Sequence, residues 1–409
     1  MKRVRDLLRR SAVPILSVIT ALLFGAVVIF LTDFEQLSKI GSDPLGAIGG
    51  AIGGVGKAYG SMLSGAFGDP GRFATALQTG NATDIAKAIR PFTETLVAAT
   101  PLIFTGLAVA VSFRAGMFNI GGNGQVMLGA LGATMVAIGL NGTVPSPVLL
   151  VLAILAATAA GGVWGFIPGF LKARTGAHEV ITTIMLNYIA ALLVYFSLQG
   201  TNNWLRAPGS TSPVSKSLAP IVDVPNIISL PGLRLDYGFV VALLVAVAVS
   251  LLLFRTTKGF ELRASGFNLT AARYAGMSAG GSMMLAMALS GALCGVAGGF
   301  LVVGTVGQLS IDLHGNIGFN AIALALLAGL RPSGVVLAAL LFGALTNGGK
   351  LMGVQTGIPQ DLLFLIMALV IMFVAAPGLI RGMWRIKAGK PAPEIAALPA
   401  SPTSTSTPL

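Results

Sequence analysis

Three side-chain amides lie close together in a glycine-rich stretch between two apolar segments: Asn119, Asn123 and Gln125. Irregular backbone at membrane depth is tolerated only where it is buried in protein or borders a water-filled cavity. Because uncharged amides suit a neutral polar solute, these residues are candidates for the border of a solute path, and Asn187 inside an apolar segment is a weaker candidate. A hydrogen bond between helices, at about 0.6 kcal/mol, is the alternative for each amide.

The sequence lacks the motifs of the common catalytic and metal sites. A phosphate-binding loop needs Gly, four residues and then Gly-Lys-Ser/Thr, whereas the pair Gly56-Lys57 has neither the first glycine nor the hydroxyl residue. The pair His178-Glu179 begins like a zinc-protease helix, but the second histidine is missing. We therefore predict no catalytic residue, no metal site, no cofactor held by this chain and no enzyme activity of its own.

The elements that must position the amides are membrane helices. Apolar residues make up 55% of the chain and charged residues 10%, far from the roughly 25% charged residues of a soluble domain. Stretches of about 18 or more apolar residues can each cross the bilayer, so we predict an all-α polytopic membrane protein with about ten transmembrane helices. The spans are predicted at residues 11–31, 92–113, 117–140, 147–171, 180–199, 237–254, 282–303, 317–330, 334–352 and 360–380, of which the eighth is short enough to be a half-helix.

The basic residues set the topology. The formal charge is +12, but the 26 basic residues are spread between the spans and form no single patch, which argues against a nucleic-acid partner. With the N-terminus inside, ten spans place 17 basic residues inside and nine outside, and five of the nine lie in one long connection. By the positive-inside rule, we predict a multi-pass protein of the cell (inner or plasma) membrane with both termini cytoplasmic.

The connections suggest four regions. Residues 1–31 form a basic N-terminus and a first, uncleaved transmembrane helix, and residues 32–91 form an external connection that is first glycine-rich and then amphipathic near Phe73 to Ile89. Residues 92–380 contain about nine further spans. Residues 381–409 form a basic cytoplasmic tail of disordered composition.

Glycines recur at four-residue steps in two of the predicted spans. The stripes are Gly161, Gly165 and Gly169 in the fourth span and Gly291, Gly295 and Gly299 in the seventh. Small residues at this spacing let helices approach closely in lipid. We predict close packing within the chain, with a dimer interface as the alternative.

Three stretches resemble the ABC-transporter permease family that includes nucleoside, ribose-type sugar and branched-chain amino-acid importers, most closely its nucleoside branch. Residues 101–125 contain the Thr-Gly-Leu, Phe-Arg-Ala-Gly and Phe-Asn-Ile-Gly runs of that family, and the other two stretches are residues 179–190 and 258–277. The similarity covers about residues 90–380. Two positions depart from the family pattern: Asn123 stands where glutamate is usual, and His178 where asparagine is common. Any role that needs a carboxylate at position 123 is thereby put in doubt.

The resemblance implies the architecture of an ABC importer permease. Its expected partners are an ATP-binding cassette ATPase that holds ATP-Mg, a second related permease, a solute-binding lipoprotein and membrane lipid. The expected solute is small, neutral and polar, with nucleosides first and monosaccharides next. A self-powered secondary carrier is the alternative from another class, although the spans contain almost no carboxylates.

The connection between the sixth and seventh spans is predicted to contain a short helix that couples the chain to the ATPase. Asn268 suits the N-cap position and Gly276 the left-handed position after a helix, with Ala272 between them. Arg263 and Arg273 add positive charge, either as topology signals or as ion-pair partners. The resemblance places the ATPase contact in this same stretch.

Overall fold

The computed structural model describes residues 2–385 except 201, 202, 223, 229 and 314. For residues 2–14 and for five positions in the last two helices, it describes only the backbone. The tail predicted at 381–409 therefore lies outside the described residues from 386 onwards. The α-helices are α1 (Lys2–Thr32), α2 (Phe34–Leu37), α3 (Pro44–Phe67), α4 (Pro70–Thr79), α5 (Ala82–Arg114), α6 (Gly122–Gly139), α7 (Ser146–Thr175), α8 (Glu179–Leu198), α9 (Gly238–Arg255), α10 (Thr257–Phe267), α11 (Leu269–Tyr274), α12 (Ala279–Phe300), α13 (Ile317–Leu327), α14 (Pro332–Thr356), α15 (Gln360–Ala375) and α16 (Pro377–Met383).

The helices confirm the predicted fold class. Seven of them are long and apolar enough to cross a bilayer, and Ile317–Leu327 and Phe364–Val374 are shorter apolar helices. Each of the ten predicted spans coincides with a helix, including the short eighth span at α13. The chain is therefore an all-α polytopic membrane protein. The β-structure of the described residues is limited to two isolated bridges in the connection before α9.

The bounds of the predicted amphipathic helix near Phe73 to Ile89 are wrong. The chain breaks there because α4 ends at Thr79, Gly80 adopts a left-handed φ of +59°, and Asn81 caps α5. The Asn81 side chain accepts a hydrogen bond from the backbone N–H of Thr83 at 3.2 Å. A C-terminal glycine followed at once by an N-cap asparagine thus overrides the continuous amphipathic pattern, and the helix that contains the second predicted span begins at Ala82, ahead of Pro91.

The glycine-rich stretch before this break forms the long helix α3, which packs on α14. A Cβ atom added at Gly65 would lie 3.0 Å from the Cα of Gly348, so the two backbones nearly touch. The Asn347 side chain donates to the carbonyls of Gly65 at 2.8 Å and Pro91 at 2.9 Å. Glycine therefore serves here as an interhelical contact surface, as small residues commonly do in membranes.

The two glycine stripes pack against each other within the chain, as predicted. A Cβ at Gly165 would meet the carbonyl of Met287 and lie 2.8 Å from the Cα of Gly291, and one at Gly295 would meet the carbonyl of Ala157. Helix α12 also lies against α6, where Gly298 contacts the backbone of α6. These contacts make α6, α7 and α12 one close-packed unit.

The central helix is α5, which packs on α9, α12, α13 and α14. Its middle residues are almost all buried, and the ring of Phe104 stacks on that of Phe300 of α12 at 5.7 Å between centroids. The C-terminal end of α5 leads into the break that carries the candidate amides.

Candidate functional site

The candidate site is built on the break between α5 and α6. The chain leaves the helix at Ala115, turns at Gly116 with φ of +72°, and re-enters a helix at Gly122. A glycine is required at this turn because its φ is left-handed and the Cα of Gly266 lies close by; a Cβ added at Gly116 would be only 3.0 Å from that atom. The turn fixes the amides that follow it against α8, α12 and α13.

Asn119 and Gln125 form a reciprocal amide pair. The Asn119 Nδ2 group donates to Gln125 Oε1 at 2.8 Å, and the Gln125 Nε2 group donates to Asn119 Oδ1 at 3.1 Å. Asn119 also donates to Ser290 Oγ at 2.8 Å, and that hydroxyl donates to the carbonyl of Ala108 at 2.7 Å. The side chains of Asn119, Gln125 and Ser290 are all buried. This network therefore ties the break to α5 and α12.

Asn123 and Asn187 connect α6 to two further helices. The Asn123 Oδ1 atom accepts from the backbone N–H of Gly318 at 2.7 Å, which joins α6 to α13. Asn187 of α8 accepts from the N–H of Gly124 at 2.8 Å and donates to the carbonyl of Ile120 at 3.0 Å. Asn123 is buried, whereas Asn187 is half-buried.

The structure thus brings Asn119, Asn123, Gln125 and Asn187 together around the beginning of α6. In this conformation the amides use their hydrogen bonds within the chain, which is the alternative that the sequence left open. The sequence already places Asn119, Asn123 and Gln125 near one another, but Asn187 and Ser290 lie far along the chain. No motif in the sequence marks it as the partner of Asn119.

An ion pair lies next to this network. The Lys172 Nζ atom of α7 is 2.5 Å from Glu179 Oε2 at the first residue of α8, and the backbone of Phe118, in the break, also interacts with this carboxylate. The side chain of Glu179 is only 6% exposed. A carboxylate at a helix N-terminus is favoured by the helix dipole, and Lys172 supplies the opposite charge that burial requires. The pair fixes α7, α8 and the break relative to one another.

The short helix predicted between the sixth and seventh spans is α11. The Asn268 side chain accepts from the backbone N–H of Ala271 at 2.9 Å, and Gly276 has φ of +79°. Both predicted end residues therefore have the expected geometry. The segment is flanked by Phe267 and Tyr274, whose exposed fractions are 93% and 90%. Two large aromatic residues this exposed beside one short helix suggest a surface that a protein partner covers.

Arg263 and Arg273 have different surroundings. Arg273 is exposed in the last turn of α11, whereas Arg263 of α10 is half-buried over the ring of Phe254. Neither forms an ion pair with a carboxylate among the residues that the structure describes. The two arginines, which the sequence does not distinguish, therefore lie in different environments.

The connection before α9 contains a buried carboxyl group. Asp236 accepts from the backbone N–H of Gly238 at 2.8 Å, and a Cβ added at Gly304 would lie 2.5 Å from its Oδ2 atom. Gly304 belongs to a π-helical turn, Leu301–Thr305, that continues α12. Burial raises the pKa of Asp236 to about 6. Sequence analysis missed this residue because its connection is rich in turn-forming residues and gives no sign of burial.

A family model and individual relatives that match the chain are all described as permease components of transport systems. The family model described as branched-chain amino acid transport system / permease component matches residues 92–376. The chain is 42% identical over 294 residues to the guanosine ABC transporter permease protein NupP of Bacillus subtilis (strain 168), covering 70% of this chain and 82% of that protein. It is 37% identical over 289 residues to the glucose ABC transporter permease protein TsgB13 of Haloferax volcanii, covering 69% and 75%.

A third relative is the nucleoside ABC transporter permease protein NupB of Lactococcus lactis subsp. cremoris, with 34% identity over 300 residues, 72% of this chain and 81% of that protein. Bacillus subtilis and L. lactis each contain a second, more distant permease of the same printed function, NupQ and NupC. No solved structure matches the chain.

Proposed function

The chain belongs to the family of permease components of branched-chain amino acid transport systems, and from this premise we propose that it is a membrane-spanning subunit of an ATP-driven importer for nucleosides. The observation that carries the proposal is the 42% identity to a permease named for guanosine, over 70% of the chain. A second relative, 34% identical, is named for nucleosides. Uncharged amides around the beginning of α6 fit a neutral polar solute of this class.

A monosaccharide is the second candidate solute because one relative, 37% identical, is named for glucose. The two solutes can be separated by uptake into proteoliposomes that contain the assembled transporter. The nucleoside proposal predicts ATP-dependent accumulation of radiolabelled guanosine, unaffected by excess glucose or ribose. Accumulation of a sugar that guanosine does not inhibit would overturn it.

We propose that a partner ATPase supplies the energy by binding ATP-Mg, since the sequence contains no phosphate-binding loop. A self-powered carrier would need a carboxylate that gains and loses a proton at membrane depth. Among the described residues the buried acids are Glu179, paired with Lys172, and Asp236, in the connection before α9. Uptake driven by a proton gradient in liposomes that lack the ATPase would favour the carrier instead.

The further partners are a second permease and a solute-binding lipoprotein. Pairs of related permeases occur for the guanosine transporter of B. subtilis and the nucleoside transporter of L. lactis, which supports a heterodimer here. We propose that α11 contacts the ATPase, and the exposed Phe267 and Tyr274 support this assignment because both would be covered by a docked partner.

Both termini are proposed to be cytoplasmic, which two single cysteines can test in a variant that lacks Cys294. Ser146 at the beginning of α7 and Thr270 on α11 are both exposed, and cells that lack the ATPase leave α11 uncovered, so accessibility does not limit either reaction there. The topology predicts that Ser146→Cys reacts with an impermeant thiol reagent added to intact cells, whereas Thr270→Cys reacts only after the membrane is permeabilised. The reverse pattern would contradict the topology.

We propose that the amides around the break border the solute path, with Asn187 as the most accessible of them. Losing one hydrogen bond to a neutral solute costs about 0.5–1.5 kcal/mol, so Asn187→Ala should lower the apparent affinity for guanosine roughly two- to tenfold. The measurement is uptake per amount of folded protein.

Asn119→Ala serves as the structural comparison for this variant. It removes both hydrogen bonds of the buried Gln125 amide to Asn119 and the one between Asn119 and Ser290, which should lower the amount of folded protein. If Asn187→Ala leaves the kinetics of uptake unchanged, the amides do not border the path.

A further inference from the structure

We propose that the chain has a binding site for an anionic phospholipid where α9 meets α10, with the headgroup phosphate held by Arg114 and Arg263 and the acyl chains lying along α9. This inference does not depend on which solute is transported. It rests on a cluster of arginines that have no carboxylate partner among the described residues, an exposed apolar face that ends at the cluster, and an open groove beside it.

The arginines converge on one aromatic ring. The guanidinium carbons of Arg114 and Arg263 lie 5.0 Å and 5.2 Å from the ring centroid of Phe254. Arg114 also donates through Nε to the carbonyl of Leu330 at 2.7 Å, next to Arg331. Arg263 and Arg331 both lie near enough to Arg114 to repel its charge, so three like charges are gathered at one end of the helix bundle.

No carboxylate of the described residues pairs with any of these three arginines. The Nε atom of Arg263 is buried and has no hydrogen-bond acceptor within the described part of the chain. A buried donor without a partner is destabilising, and more so when the group is charged. The cluster therefore suits an anion with several acceptor oxygens, which a phosphate group provides.

The apolar part of the site is one face of α9. Exposed side chains follow one another at helical spacing along this face, ending at the ring that the arginines cover: Leu244, Val247, Leu251 and Phe254. Residues three and four apart lie on the same side of a helix. A molecule with acyl chains and a phosphate can cover this face and also neutralise the arginine cluster. A soluble anion can neutralise the cluster but cannot cover the apolar face.

The groove beside the cluster is large enough for a lipid headgroup. It has a volume of about 740 Å³ and is lined by the end of α9, by α10 and by the turn Ala275 to Ser278. Arg255 adds one further positive charge to it, whereas the charge of Lys258 is paired with that of Glu261 at 2.9 Å. The topology proposed above puts this end on the cytoplasmic side, where anionic lipids are attracted to basic groups at about 1 kcal/mol for each Lys or Arg.

The test is lipid retention by the purified full-length chain, measured by native mass spectrometry after equilibration with phosphatidylglycerol or phosphatidylcholine. We expect the parent to retain phosphatidylglycerol preferentially. Arg263→Gln and Arg331→Gln should each weaken retention about fivefold, the equivalent of about 1 kcal/mol per basic residue. Because Arg331 is exposed, its variant should fold even if Arg263→Gln does not.

Arg174→Gln is the matched control. Arg174 is an exposed arginine at the end of α7 and lies over the ring of Phe170 at 5.9 Å, without a second arginine beside it; its loss should leave retention unchanged. Equal loss from Arg174→Gln, or no loss from either cluster variant, would overturn the proposal. Displacement of the lipid by inorganic phosphate alone would also overturn it, because the arginines would then bind a soluble anion. Unchanged lipid retention in a cluster variant that loses ATPase association would assign the arginines to the ATPase instead.

Discussion

Ala272→Pro is expected to insert into the membrane normally and to lose association with the ATPase. The backbone N–H of Ala272 donates to the carbonyl of Asn268 at 3.0 Å, and the carbonyl of Ala272 accepts from Met277 at 3.0 Å. Proline removes the first bond and places its ring against the preceding turn, at a cost of about 3 kcal/mol or more, which corresponds to roughly a 100-fold change in the population of the helix. So short a helix does not form alone in water.

A second proline variant separates the loss of the helix from the mere presence of proline. Leu269 is the first residue of α11, so proline at this position removes no hydrogen bond of the helix. The preceding Asn268 already has the extended conformation that a residue before proline favours. Leu269→Pro should therefore keep most of the association, apart from the packing of Leu269 on the cluster of Met117, Met283 and Met287.

The measurement is copurification of the ATPase with each variant, together with ATP hydrolysis stimulated by the solute-loaded binding protein. Membrane content of the variants provides the control for insertion. If Ala272→Pro assembles and transports like the parent, α11 is not the coupling helix.

The ends of α11 could be predicted from sequence because they depend on local chemistry. Asn268 and Gly276 act through backbone groups within a few residues of themselves, so the residue types suffice. The same local chemistry explains the error near Gly80. There the amphipathic pattern of residues 73–89 predicts one continuous helix, but Gly80 and Asn81 end one helix and begin the next.

The partners of the amides could not be predicted because they depend on long-range packing. Asn119 can form its hydrogen bond with Ser290, and Asn123 with the backbone of Gly318, only after α12 and α13 have packed against α6. Glycines permit this close packing of helices, and the glycine stripes at four-residue spacing did predict the close approach of α7 and α12. The arginines around Phe254 are likewise brought together by three separate parts of the chain.

Gly165→Ala is expected to destabilise the protein strongly, although the change adds one methyl group. The new Cβ would meet the carbonyl of Met287 and lie 2.8 Å from the Cα of Gly291, and neither backbone can move without shifting α12 against α7. Overpacking of this kind costs about 1–3 kcal/mol, and we expect the upper end because both contacts are with backbone atoms. The shift would also disturb Lys172, further along α7, and its ion pair with Glu179.

Gly162→Ala is the matched control for this prediction. Gly162 lies on the same helix, one turn before Gly165, yet its added Cβ would be 3.5 Å from the nearest atom, the Cβ of Ala292. That distance is ordinary van der Waals contact, and alanine has a higher helix propensity than glycine by about 1 kcal/mol. Thermal unfolding in one detergent should therefore give a clearly lower midpoint for Gly165→Ala and an unchanged or higher one for Gly162→Ala. Equal midpoints would mean that α7 and α12 do not approach as closely as the structure places them.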